Sequence, residues 1–96
     1  MARTRYLVSY DICNDKRLRQ VAKTLSGFGY RIQYSVFECC LEPMGLAECK
    51  AQLDSIIHHD DDQVLIIGLG NADNDAGLAI ESLGKSYVIH TNLVIV

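Results

Sequence analysis

Apolar and polar positions alternate with period two at the start of the chain and then switch to a helical period, and those switches mark out the elements. Over residues 6–11, Tyr6, Val8 and Tyr10 fall on one face of an extended segment and Leu7, Ser9 and Asp11 on the other. The strand therefore ends on a carboxylate. Asn14 and Asp15 can cap a helix in which Leu18, Val21, Ala22 and Leu25 recur at i, i+3, i+4 and i+7. Arg17, Arg19 and Lys23 sit off that stripe and make the outer face basic, and Gly27 and Gly29 stop the helix.

Residues 31–41 again read as a strand, with Ile32, Tyr34 and Val36 on one face and Gln33, Ser35 and Phe37 on the other. Pro43 suits a first helical position, and Leu46, Cys49, Leu53, Ile56 and Ile57 form a second amphipathic stripe that ends in His58, His59 and three aspartates. Residues 64–69 are continuously apolar, which predicts a central strand buried on both faces. Residues 71–75 are turn material, residues 78–83 a short element, and Leu93 to Val96 a last strand. Taken strictly the runs give β-α-β-α-β-β-β; a bend near Cys39 folds a second hairpin strand into residues 31–42. The expected fold is α+β: a ferredoxin-like β-α-β-β-α-β sandwich, an antiparallel sheet with both helices on one face. Its other face is left for a second copy to cover, and Asp11 points there.

At 96 residues the chain forms one domain, 1–96, large enough for one two-layer core. No apolar run approaches the roughly 20 residues of a membrane span, and the opening Met-Ala-Arg-Thr-Arg lacks the apolar core of a signal peptide. A cytoplasmic protein with no membrane partner is expected. Cys13, Cys39, Cys40 and Cys49 have no zinc-ligand spacing and read as reduced, half-buried residues. The net charge of -3 conceals a split: residues 1–31 carry seven bases against two acids, and residues 32–96 two bases against ten acids. That asymmetry points to one basic face for a polyanion.

The chemistry narrows to Asp11. There is no phosphate-binding glycine loop with its lysine around Gly68 and Gly70, no histidine partner at a readable spacing from Ser9 or Ser35, and the 58–62 cluster reads as a solvated loop. An acid where a buried strand meets a loop is held rigidly yet reaches water, as a metal ligand or general base must; a plain cap or turn acid has the same place in a sequence. One carboxylate per chain is too few for an all-protein cation cage. A symmetric dimer placing both copies of Asp11 near its axis could bind one Mg²⁺ with waters and phosphate oxygens, while Arg17, Arg19 and Arg31 bind the phosphate backbone.

At these residues the sequence resembles the CRISPR-associated protein 2 family. The matching pieces are Tyr10-Asp11-Ile12, the helix start Asp15-Lys16-Arg17-Leu18-Arg19, and the long block from Gly27 through Tyr30, Arg31, Ser35 and Phe37 to Glu38, with Asp62 and residues 80–84 besides. The resemblance implies a ferredoxin-like homodimer whose C-terminal strand crosses to the partner's sheet. It implies a metal-dependent endonuclease cutting single-stranded RNA or double-stranded DNA, with Asp11 as catalytic and metal-binding acid and Mg²⁺ as cofactor. Tyr10, Arg17, Arg19, Arg31, Ser35 and Phe37 match positions implicated in activity or nucleic-acid contact. From the residues alone, Tyr10 and Phe37 are also simple core or interface aromatics, and Arg31 a charge that blunts a strand edge.

The expectation is thus a homodimeric CRISPR-associated nuclease acting in spacer acquisition for antiviral defence. Its rival is a non-catalytic scaffold that bridges dimers of the CRISPR integrase subunit and binds duplex DNA. A small metabolite-binding regulatory module is a third possibility, for which no glycine-rich effector loop is evident.

Overall fold

In the computed structural model, which describes residues 2–74 and 79–87, six elements follow in the expected order. They are β1 (Thr4–Asp11), α1 (Asp15–Ser26), β2 (Gly29–Gln33), β3 (Val36–Leu41), α2 (Pro43–Ile56) and β4 (Gln63–Asn71). The four strands form one antiparallel sheet in the order β2-β3-β1-β4. This is the ferredoxin-like sandwich anticipated from the pattern.

Local signals set the helix ends. The Asn14 side chain accepts a hydrogen bond from the Arg17 amide at 3.0 Å, closing the first turn of α1. Pro43 opens α2, where its missing N–H costs nothing. The stripe of α1 buries Val21 and Leu25, that of α2 Cys49 and Leu53, and both pack on Val8, Tyr10, Phe37, Cys39 and Leu41 from the sheet. Period two then assigns Leu7, Ser9 and Asp11 to the face without helices.

Two expectations need correction. Residues 31–41 are not one strand bent near Cys39; the chain turns at Tyr34 and Ser35, and β2 pairs back on β3 through Gly29↔Cys39, Tyr30↔Glu38 and Arg31↔Phe37. That turn has no glycine or asparagine, and no described non-glycine residue has a positive φ, so the usual hairpin signature is missing. A register shift between Arg31 and Gln33 and a hydrogen bond from the Tyr10 amide to the Ser35 carbonyl at 3.1 Å set the turn instead. Gly29 allows β2 and β3 to meet closely: an added Cβ would fall inside contact distance of the Glu38 carbonyl oxygen and 2.8 Å from Cys39 Sγ.

Among the described residues the apolar run at 64–69 is not a central strand. There β4 lies at the sheet edge beyond β1, and Leu65 and Ile67 are 48% and 45% exposed. Val64 and Ile66 pack against the core, so the unbroken run reflects two apolar faces and not two strand neighbours. Residues 79–87 form turns and bends without helix or strand. Leu93 to Val96, read as a final strand crossing to a partner, lie outside the described residues. Among the described residues no helix is long and apolar enough to cross a membrane.

Candidate active site

Asp11 is the last residue of β1 and is exposed. Its neighbour across the ladder is Gln63, the first residue of β4. Among the described residues its carboxylate makes no hydrogen bond or ion pair, so its direction depends on the backbone that carries it.

Four of the residues expected beside it form one cluster. The Tyr10 ring is buried against Phe37, with centroids 6.2 Å apart and planes tilted by 32°, and its hydroxyl donates to the Tyr34 carbonyl at 3.3 Å. Phe37 is only 2% exposed, and the Arg31 guanidinium lies over its ring at 5.3 Å. Such a cation–π contact at an exposed arginine contributes about 0.5–1 kcal/mol. Ser35 enters through its carbonyl, which receives the Tyr10 amide. Tyr10 and Phe37 therefore hold the strand end from inside the core.

Arg17 and Arg19 part company, although both lie in the first two turns of α1. Arg19 is exposed, and with Lys16 and Lys23 it forms a basic line along the outer face that has no ion-pair partner among the described residues. Arg17 folds back onto Asp62, its Nε donating to Oδ2 at 2.7 Å and its Nη2 to Oδ1 at 3.2 Å. The same carboxylate accepts the Cys13 amide on Oδ1 at 2.9 Å and the His58 amide on Oδ2 at 2.8 Å. The Arg17 guanidinium, helped by those two amides, holds Asp62 well below the usual carboxylate range.

Asp62 was hidden in the sequence among three consecutive aspartates. Its neighbour Asp61 is exposed and pairs with His58 at 3.3 Å, while His59 meets Asp54 at 3.3 Å, also in solvent. Position alone does not tell which of the three turns inward. The cue in the sequence was the family resemblance, which includes Asp62, the residue just before β4.

No three His, Cys, Asp or Glu side chains converge on one point among the described residues. Asp11 offers one hard oxygen donor open to water, which suits Mg²⁺ only as part of a site completed by waters, phosphate oxygens or a second carboxylate.

The family model described as CRISPR associated protein Cas2 matches residues 4–76. The chain belongs to the Cas2 family. A CRISPR-associated endoribonuclease Cas2 of Geobacter sulfurreducens is 42% identical over 82 residues, covering 85% of either chain. One of Rhodospirillum rubrum is 45% identical over 82 residues, 85% of this chain and 79% of that one. Among solved structures, Streptococcus pyogenes Cas2 at pH 6.5 superposes with a TM-score of 0.73 at 35% identity, over 83% of this chain and 99% of the other. The Cas2 match spans all six elements, and with them Asp11, the aromatic cluster and the Arg17–Asp62 pair. The chain is thus a member of a family of CRISPR-associated nucleases.

Proposed function

We propose that this chain is a metal-dependent endonuclease that acts as a homodimer in CRISPR spacer acquisition, with Asp11 as the catalytic and metal-binding acid. The observation that carries the reading is the exposed carboxylate at the tip of β1, open to water and engaged by no side chain among the described residues. It lies on the helix-free face, where Leu65 and Ile67 leave apolar surface for a second copy. A second copy would bring the second carboxylate that one chain lacks.

Mg²⁺, when bound, supplies Lewis-acid polarisation of the phosphodiester and an activated water. Asp11 holds the ion's place, Arg19 and Arg31 offer charge to the flanking phosphates, and Tyr10 and Phe37 keep the strand end rigid. The endoribonuclease names of the Geobacter and Rhodospirillum relatives support RNA as a substrate, and the endonuclease name of the Halalkalibacterium halodurans relative leaves DNA beside it. One further observation supports a second role: Lys16, Arg19 and Lys23 make a continuous basic line on α1, suited to holding duplex DNA as a scaffold between integrase subunits.

The test is cleavage of labelled single-stranded RNA and duplex DNA by wild type and Asp11→Ala, with Mg²⁺ or chelator, alongside sedimentation of both proteins. Cleavage is expected to fall by at least roughly a hundredfold in the variant, with the dimer intact. No cutting by wild type at any pH or metal concentration would leave the scaffold role standing. Loss of the dimer in Asp11→Ala would make Asp11 structural.

A further inference from the structure

Asp62 ties the connection between β1 and α1 to the loop that follows α2, regions 45 to 49 positions apart in sequence. Each carboxylate oxygen accepts two hydrogen bonds, one from Arg17 on α1 and one from a backbone amide: Cys13 just after β1, or His58 just after α2. Its side chain is fully buried, whereas that of Arg17 is 24% exposed. Cys13 is fixed a second time, its thiol donating to the Asp61 carbonyl at 2.9 Å. On one side of Asp11, then, the chain is held by Tyr10 in the core, and on the other by Cys13 on Asp62. Across the ladder Asp11 faces Gln63, the residue that follows Asp62.

We propose that Arg17 and Asp62 form a clamp that sets the direction of the Asp11 carboxylate, and that Arg17 is a positioning residue and not a phosphate ligand. The catalytic consequence rests on the nuclease reading above; the geometric one does not. Asp11 has no side-chain bond of its own among the described residues, so any freedom in residues 11–13 passes directly to its carboxylate. Orientation at this level is what a reacting group needs from its supports. Arg17 has committed Nε and Nη2, the donors of its side-on fork. To bind a phosphate with that fork it would have to abandon a buried anion. Asparagine at position 62 cannot replace the acid, because its NH₂ group would face donors where the carboxylate presents an acceptor.

The variants are Arg17→Gln, Asp62→Asn, their double combination, and Arg19→Gln for comparison. ¹⁵N relaxation of the amides at residues 11–13 reads the clamp directly: order should fall in both clamp variants and stay in Arg19→Gln. Anisotropy titrations of a labelled single-stranded RNA across a salt series read phosphate contacts. Arg19→Gln should lower the logarithmic salt slope by about 0.7, and Arg17→Gln should leave it unchanged. In cleavage assays each clamp variant should lose roughly 10- to 100-fold in kcat at constant KM, with the double variant no worse than either single one.

Unchanged order at residues 11–13 in the clamp variants, or a salt slope lowered by Arg17→Gln as much as by Arg19→Gln, would overturn the proposal. If Asp62→Asn does not fold, Arg17→Gln carries the test alone. If wild type cuts nothing, the nuclease reading fails by itself, and relaxation still decides whether the clamp exists.

Discussion

Arg5 and Glu38 pair across the β1–β3 ladder on the face of the sheet that carries no helices, and both are buried. Arg5 also donates from Nη2 to the Ala72 carbonyl at 2.8 Å, just beyond β4, and the Tyr87 hydroxyl donates to the second Glu38 oxygen. Two charges thus tie together β1, β3, the end of β4 and the 79–87 segment. Arg5 Nε is buried without a partner among the described residues, so the network is not fully satisfied.

Removing one member of a buried pair leaves the other charge stranded. Glu38→Ala is therefore expected to cost about 3–5 kcal/mol, and Tyr87→Phe only about 1 kcal/mol. Urea unfolding of the two variants checks the ratio. Equal and small losses would mean that water reaches Arg5 once Glu38 is gone.

Gly29 has no room for a side chain because β3 backbone occupies the space. Gly29→Ala should destabilise the fold by at least about 1–3 kcal/mol, with the loss concentrated in β2. Hydrogen exchange should show early opening of the β2–β3 amides, while those of β1 and β4 keep their protection.

Asp62 makes stability depend on acid in a predictable direction. Its folded pKa lies below the unfolded value of roughly 4, so the unfolded chain binds more protons in the window between them. The contribution is complete above about pH 4 and is lost as pH falls through the depressed folded value. Urea midpoints from pH 7 to pH 3 should show Asp62→Asn weaker than wild type at neutrality. The gap should narrow only below about pH 4.

The thiols divide sharply by burial. Cys39 and Cys49 are buried among apolar side chains, which pushes their pKa values up to about 12 and about 11, and burial also raises that of Cys40. Cys13 is exposed. Iodoacetamide should therefore modify Cys13 alone in the native protein and all four cysteines in denaturant. Mass spectrometry of the native reaction gives the answer, and modification at Cys39 or Cys49 would reveal opening of the core.

Much of the architecture was legible because its causes are local. Alternation at Tyr6, Val8 and Tyr10 marks a strand with one buried face, Asn14 marks a helix start, and Pro43 marks the next. An acid closing an apolar run made Asp11 visible as a candidate without any knowledge of its neighbours. The hairpin at Tyr34 and Ser35 was not legible, since its turn rests on a bulge and on Tyr10 and not on a turn sequence.

By itself, then, the sequence determined the ferredoxin-like class, the inward residues of β1 and of the two helices, and the acid at the end of β1, since periodicity and caps act over a few residues. Tertiary structure alone decided that β4 has β1 as its one strand neighbour among the described residues, because a run of apolar residues asks for cover without saying which strand lies beside it. It also chose Asp62 among three adjacent aspartates, joined it to Arg17 across 45 positions, and joined Arg5 to Glu38 across 33. A charge has no sequence signature for its partner; the pairing exists only once the sheet has brought the two backbones together and shut out the water that would otherwise compete.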